Sequence, residues 1–114
     1  MNVDKLSNMK RGWFIGDFKE SVLRTKEFEA CCRFYEAGYE EEGHIHKILT
    51  EITVVTSGKI ILGGQEFGPG SIVTVNPNES APFKALEDCT LTIIKVPSIP
   101  GDKYPTNDSH STQS

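Results

Sequence analysis

The chain has 114 residues, of which 37% are hydrophobic and 25% charged, with a formal net charge of −4 at pH 7. That length bounds it to one domain with one core. With no basic cluster to neutralise phosphates, nucleic acid and acidic membrane surfaces are excluded as expected partners, and no apolar run is long enough to span a bilayer.

In chain order, residues 1–10 read as a polar, flexible lead-in. MNVDKLSNMKRG has no apolar core behind its charges, so it is not expected to be a secretory signal. With three cysteines, two of them adjacent at Cys31 and Cys32, reduced thiols and a cytoplasmic setting are expected. GWFIGDF is apolar and aromatic and predicts an edge strand, and the run from Glu27 to Glu36 predicts another. The acidic run at 40–42 reads as a solvated turn that adds negative potential. From Ile48 the texture is plain. EITVVT ends at Ser57-Gly58, KIIL at Gly63-Gly64, QEF at Gly68-Pro69-Gly70, SIVTV at NPNES, PFKAL at Glu87-Asp88 and CTLTIIKV at Pro97. Short strands with a turn signal every few residues, and no amphipathic helix, predict an all-β sandwich or barrel, most simply a jelly roll, over residues 11–99. Residues 100–114, PGDKYPTNDSHSTQS, offer almost nothing to bury and read as a disordered polar tail. His110 lies there and is assigned no role.

The chemistry concentrates in GYEEEGHIHKILTEITVVTSG. His44 and His46 are two apart, so on a strand they share a face. Glu51 opens the next strand after a bend, and a corner there brings its carboxylate beside the imidazoles. Two imidazoles and one carboxylate form a ligand set that leaves coordination positions open. The plainer alternative is a polar turn in which the histidines bond locally.

Gly38, five residues, His44, one residue, His46, four residues, Glu51, six residues and Gly58 resemble the first motif of the cupin family, G(X)5HXH(X)3–4E(X)6G. The resemblance covers roughly Glu27 to Pro97. It implies a single-domain, RmlC-like cupin jelly-roll barrel with His44, His46 and Glu51 lining its interior. The family's second motif, G(X)5PXG(X)2H(X)3N, is incomplete. GGQEFGPG supplies the glycine and the Pro-Gly turn, but no His stands near Ala81 or Pro82, leaving at most three of the usual four ligands. Neither Cys89 nor Glu79 has a spacing that recommends it as a substitute.

Further candidates are weighed on their faces. Arg33 and Tyr35 share a face with Cys31; inward they would hold an anionic or hydroxylated ligand, and outward they would be a solvated edge. Phe83 and Lys84 alternate, with Phe83 expected inside. Trp13 and Phe14 are expected to pack or to make a subunit contact. The resulting expectation is a site for divalent Fe, Mn, Ni or Zn on His44, His46 and Glu51, with His46 and Glu51 as catalytic candidates. Arg33, Tyr35 and Phe83 are the substrate-binding candidates. A metal-dependent oxygenase, isomerase or lyase acting on a small polar molecule fits best. The alternatives are a non-catalytic binding or sensor module and a metal-free sugar isomerase or epimerase using His46 as base. Surplus apolar surface at Trp13, Phe14, Ile15 and Phe18 predicts a homodimer, and the resemblance points the same way.

Overall fold

In the computed structural model, residues 1–106 are described. The order is β1 (Trp13–Gly16), β2 (Leu23–Arg24), β3 (Glu29–Tyr35), β4 (Glu40–Glu41), β5 (His44–Ile45), β6 (Thr50–Ser57), β7 (Ile60–Leu62), β8 (Gln65–Phe67), β9 (Ile72–Val75), β10 (Phe83–Ala85), β11 (Cys89–Val96) and β12 (Tyr104–Pro105). The lead-in forms two single 3-10 turns, Leu6–Asn8 and Lys10–Gly12. The strands make a six-stranded sheet ordered β2-β1-β3-β11-β6-β9, a four-stranded sheet ordered β4-β10-β7-β8, and a two-stranded ribbon of β12 and β5. Every pairing is antiparallel except β1 with β2. This is the expected jelly-roll architecture.

Alternation decides which side chains form the core. On β11, Cys89, Leu91 and Ile93 are buried, while Thr90, Thr92 and Ile94 lie on the other face and are half-buried. These inward residues meet Cys31 and Tyr35 of β3, Val55 of β6, Ile60 of β7, and Phe83 and Ala85 of β10, so one core lies between the two larger sheets. Phe83 faces inward as expected, and Lys84 points the other way, 3.8 Å from a Glu40 carboxylate oxygen.

Three readings need correction. GWFIGDF gives β1, but β1 is not at the edge; the two-residue β2 lies outside it because Ile15 and Gly16 pair with Leu23 and Arg24. The acidic run is not a plain turn. Glu40 and Glu41 pair with Lys84 and Phe83, extending the four-stranded sheet. Nor is the stretch after Pro100 wholly a free tail. Asp102 is 4% exposed, Tyr104 and Pro105 pair with Ile45 and His44, and the Thr106 N–H donates to the Gly43 carbonyl oxygen at 3.1 Å. This stretch finds its partners in the strand carrying the histidines. Residues 107–114, including His110, lie outside the described residues.

Two glycine turns fix the register of the smaller sheet. Leu62 pairs with Gln65, so Gly63 and Gly64 form a two-residue hairpin with φ of 61° and 82°, a pair of left-handed positions that favours glycine. Gly58 (φ 79°) turns the chain from β6 to β7 against β11; a Cβ there would collide with the Asp88 carbonyl oxygen and with Cys89. Gly58→Ala therefore combines a left-handed penalty with overpacking and should cost about 2–4 kcal/mol in urea denaturation. Gly64→Ala, with nothing within 4 Å of its Cβ, should cost only the conformational part, about 1 kcal/mol. Equal losses in the two variants would show that close approach at Gly58 is not what matters.

Candidate functional site

The short β5, the residue that follows it and the start of β6 bring His44, His46 and Glu51 together. One ligand atom from each lies within 4.8 Å of the others. The imidazoles meet edge to face with centroids 4.9 Å apart, and His46 Nε2 is 2.9 Å from Glu51 Oε1. His46 is 3% exposed and Glu51 half-buried.

The other nitrogen of His46, Nδ1, faces the backbone carbonyl oxygen of Asp102. The ring thus has an acceptor on each side. A neutral imidazole carries one N–H, so it can satisfy only one of them. Both are satisfied by an imidazolium, or by a cation sitting between Nε2 and the carboxylate while Nδ1–H donates to the carbonyl. The second arrangement is the orienting pattern usual for metal-ligating histidines. The three donors therefore fit a divalent cation.

Asp102 was not picked out from the sequence. Its Oδ1 accepts the Lys47 N–H at 2.9 Å, and its Oδ2 accepts those of Ile48 and Leu49, both at 3.0 Å. This one carboxylate therefore closes the bend between the histidines and Glu51. An aspartate after Pro-Gly signals only a local turn; nothing nearby marks donors more than fifty positions upstream.

Burial works against ionised Asp102, but the three N–H donors and His46 outweigh it and hold the carboxyl below its ordinary range. Glu51 behaves alike. Burial alone would raise it, yet the His46 hydrogen bond, Lys95 and the two imidazoles lower it. His44 is pushed below the ordinary imidazole range by burial first and by Lys103 next, so it stays neutral and free to ligate further into acid.

Two connected cavities meet the triad. The outer one, about 410 Å³, is in the range of small-molecule sites and is lined by Arg33, Tyr35, Glu41, His44 and Glu51 among others. The inner recess, about 50 Å³, has a mostly apolar wall that includes Leu62, Val75, Ala81 and Phe83, with His46 at its side. Arg33 and Tyr35 thus face inward, and Phe83 lines the recess rather than the mouth. Glu41, read as part of a solvated turn, lines both cavities and accepts the Tyr39 phenol hydrogen at 2.8 Å. Where the second motif would place a His, Ala81 presents a methyl group to the recess. Cys89 lies in the core, and Glu79 accepts the Asn76 N–H at 2.8 Å. Trp13 packs against the core and lines the outer cavity.

The Asp102 clamp is testable. Asp102→Asn replaces one acceptor oxygen with an amide that meets an N–H head on, and should cost at least about 2 kcal/mol at pH 7. Because the folded carboxyls of Asp102 and Glu51 are depressed, their contribution is present above their unfolded values near 4 and is lost as pH falls through the folded ones. His44 acts earlier. The folded state resists its protonation, so stability begins to decline below about 6.5. Urea melts of wild type from pH 7.5 to 3 should show both declines, and Asp102→Asn should flatten only the lower one. An unaltered acid profile in the variant would show that the clamp does not depend on the ionised carboxyl.

No protein-family model and no curated protein matches the sequence. Among solved structures, the chain is similar to an uncharacterised protein with a double-stranded β-helix domain from Klebsiella pneumoniae, with a TM-score of 0.71 and 14% identity over 93% of this chain and 92% of that one. It is also similar to the DMSP lyase DddQ from Ruegeria pomeroyi, with a TM-score of 0.69 and 14% identity over 89% of this chain and 52% of that longer one. A third likeness is to an RmlC-like cupin from Shewanella frigidimarina, with a TM-score of 0.60 and 18% identity over 67% of this chain and 71% of that one. With its two facing sheets and the His-x-His and Glu of the first motif gathered at the cavity, this chain has the cupin fold.

Proposed function

We propose that the chain is a metal-dependent enzyme acting on a small polar molecule held in the outer cavity, with His44, His46 and Glu51 holding a divalent cation, Fe, Mn, Ni or Zn. The observation that carries the reading is three donor atoms within 4.8 Å of one another at the wall of a cavity of about 410 Å³. The likeness to a lyase supports an enzymatic use of the fold. A cation bound there supplies Lewis-acid or redox chemistry at coordination positions the protein leaves open.

The chain's own groups have defined roles in this reading. The Asp102 carbonyl orients His46. The Tyr35 phenol is kept protonated by burial, against the pull of Arg33, so it is a donor to a bound oxygen. Glu41 is an acceptor on the same wall. Leu62, Val75 and Phe83 keep the recess apolar, which strengthens each polar contact made there.

A metal-free isomerase or epimerase is the second reading. It needs an acid opposite His46, and Tyr35 and Glu41 both line the recess with it. Metal content decides between them. Wild type should carry close to one equivalent of a divalent metal. His44→Ala and His46→Ala should lose it, since two donors hold an ion poorly against water. Glu51→Gln should weaken binding while leaving the protein folded. Elemental analysis with parallel melting curves reads this out. A wild type without divalent metal, or a His46→Ala variant that keeps it, would defeat the metal reading.

The same reading includes a homodimer. The apolar residues of GWFIGDF do not remain as surplus surface, since Trp13, Phe14, Ile15 and Phe18 are all half-buried. The exposed apolar surface lies instead on the outer face of the six-stranded sheet, where Phe34 is 59% and Ile72 67% exposed, with Val96 farther along β11 on the same face. Sedimentation at micromolar concentration should give a dimer, and Phe34→Glu should shift it to monomer. A monomeric wild type would remove the dimer from the proposal.

A further inference from the structure

The outer cavity gathers charge of both signs, five cations and five carboxylates. Five of the twelve Lys and Arg residues line it: Lys10, Arg11, Arg33, Lys95 and Lys103. Among the described residues the ion pairs join Arg24 to Asp17, His46 to Glu51, and Lys84 to Glu40, so none of the five is used. Two are instead held by aromatic faces. The Arg33 guanidinium carbon is 4.8 Å from the Tyr35 ring centroid, and Lys95 Nζ is 4.8 Å from that of Trp13. A ring face steadies a cation without cancelling its charge, and leaves the guanidinium N–H groups of Arg33 free to donate into the cavity.

The carboxylates on the same wall keep their charge, but most already have donors of their own and do not take up Arg33. Glu29 accepts the Ser98 hydroxyl at 2.8 Å, Glu41 the Tyr39 phenol, Glu51 bonds His46, and Asp102 takes three N–H groups. Among the described residues, Glu20 alone is without such a partner on this wall, and it is solvent-exposed. Half-buried Arg33 offers a planar donor fork that matches two oxygens of an oxyanion.

We propose that the cavity selects an anionic substrate, whose carboxylate or phosphate docks on Arg33 with Lys95 contributing from the neighbouring strand. The placing of the substrate's reacting end at His44, His46 and Glu51 rests on the metal-site reading, whereas the anion subsite does not.

The test is calorimetric titration of the full chain with glucuronate against glucose and glycerol phosphate against glycerol. Metal-loaded and chelator-treated protein are both used, with metal content measured on each sample. At least one anion should bind about tenfold or more tightly than its neutral counterpart, in both metal states, and the preference should weaken with added salt. The pair that shows the preference identifies carboxylate or phosphate as the docking group. Arg33→Gln should abolish the preference, Arg33→Lys should retain part of it, and Lys95→Met should reduce it, with melting curves confirming that each variant folds. The proposal is overturned if neither anion binds, if the neutral compounds bind equally well, or if Arg33→Gln and Arg33→Lys both match wild type. Binding that needs metal and ignores Arg33 is chelation and also overturns it. A protein without metal that still loses its anion preference in Arg33→Gln supports the subsite and refutes the metal reading alone.

Discussion

The site depends on one carboxylate meeting three backbone N–H groups. Between His46 and Glu51 the chain must turn from β5 into β6, and a turn this tight leaves the N–H groups of residues 47–49 without strand partners. Leu49 is 1% exposed, so water is a poor substitute there, and an unsatisfied buried donor is costly. Asp102 satisfies all three. The same residue presents its carbonyl to His46, so closing the bend and orienting the ring are one event. Pairing of β12 with β5 then keeps Asp102 in place.

That dependence explains what was legible in the sequence. The strands from Thr50 to Val96 announce themselves because each is flanked by its own turn residues, and Gly58 and Gly63-Gly64 lie where tight turns demand them. The triad is legible because its members lie within eight residues and the motif fixes their spacing. Strands β4, β5 and β12 are two residues each; no periodicity exists over two residues, and they form only because distant partners receive them. Asp102 is hidden for the same reason, since a polar stretch looks solvated until its acceptors find donors elsewhere. The faces of β3 could not be ranked because both carry cysteine and aromatic residues, Cys31 and Tyr35 on one and Cys32 and Phe34 on the other. Pairing of β3 with β11 decides the matter by setting Cys31 beside Ile93.

The missing fourth ligand also has a structural meaning. Ala81 does more than leave a gap, for it contributes to an apolar recess with Leu62, Val75 and Phe83. On the metal reading, three protein donors would face the wide outer cavity on one side and a small recess with a largely apolar wall on the other. Cys31, beside this wall, is fully buried and desolvation pushes its thiol up to about 12, so it packs as a neutral group and offers no competing thiolate.

Lys95 ties the two halves of the site together. Its Cα neighbours across the sheet are Glu29 on one side and Glu51 on the other. It forms an ion pair with neither and rests on Trp13. Its charge helps hold Glu51 ionised, which favours a cation at the triad, yet the same charge repels that cation directly. An anion in the cavity would relieve the conflict, because it offsets Lys95 and the cation together. On the two proposals combined, cation and anion would each raise the affinity for the other by the same factor, since coupling between two bound ligands is reciprocal. Lying between Glu51 and the outer cavity, Lys95 would on those proposals make the two sites interdependent rather than merely adjacent.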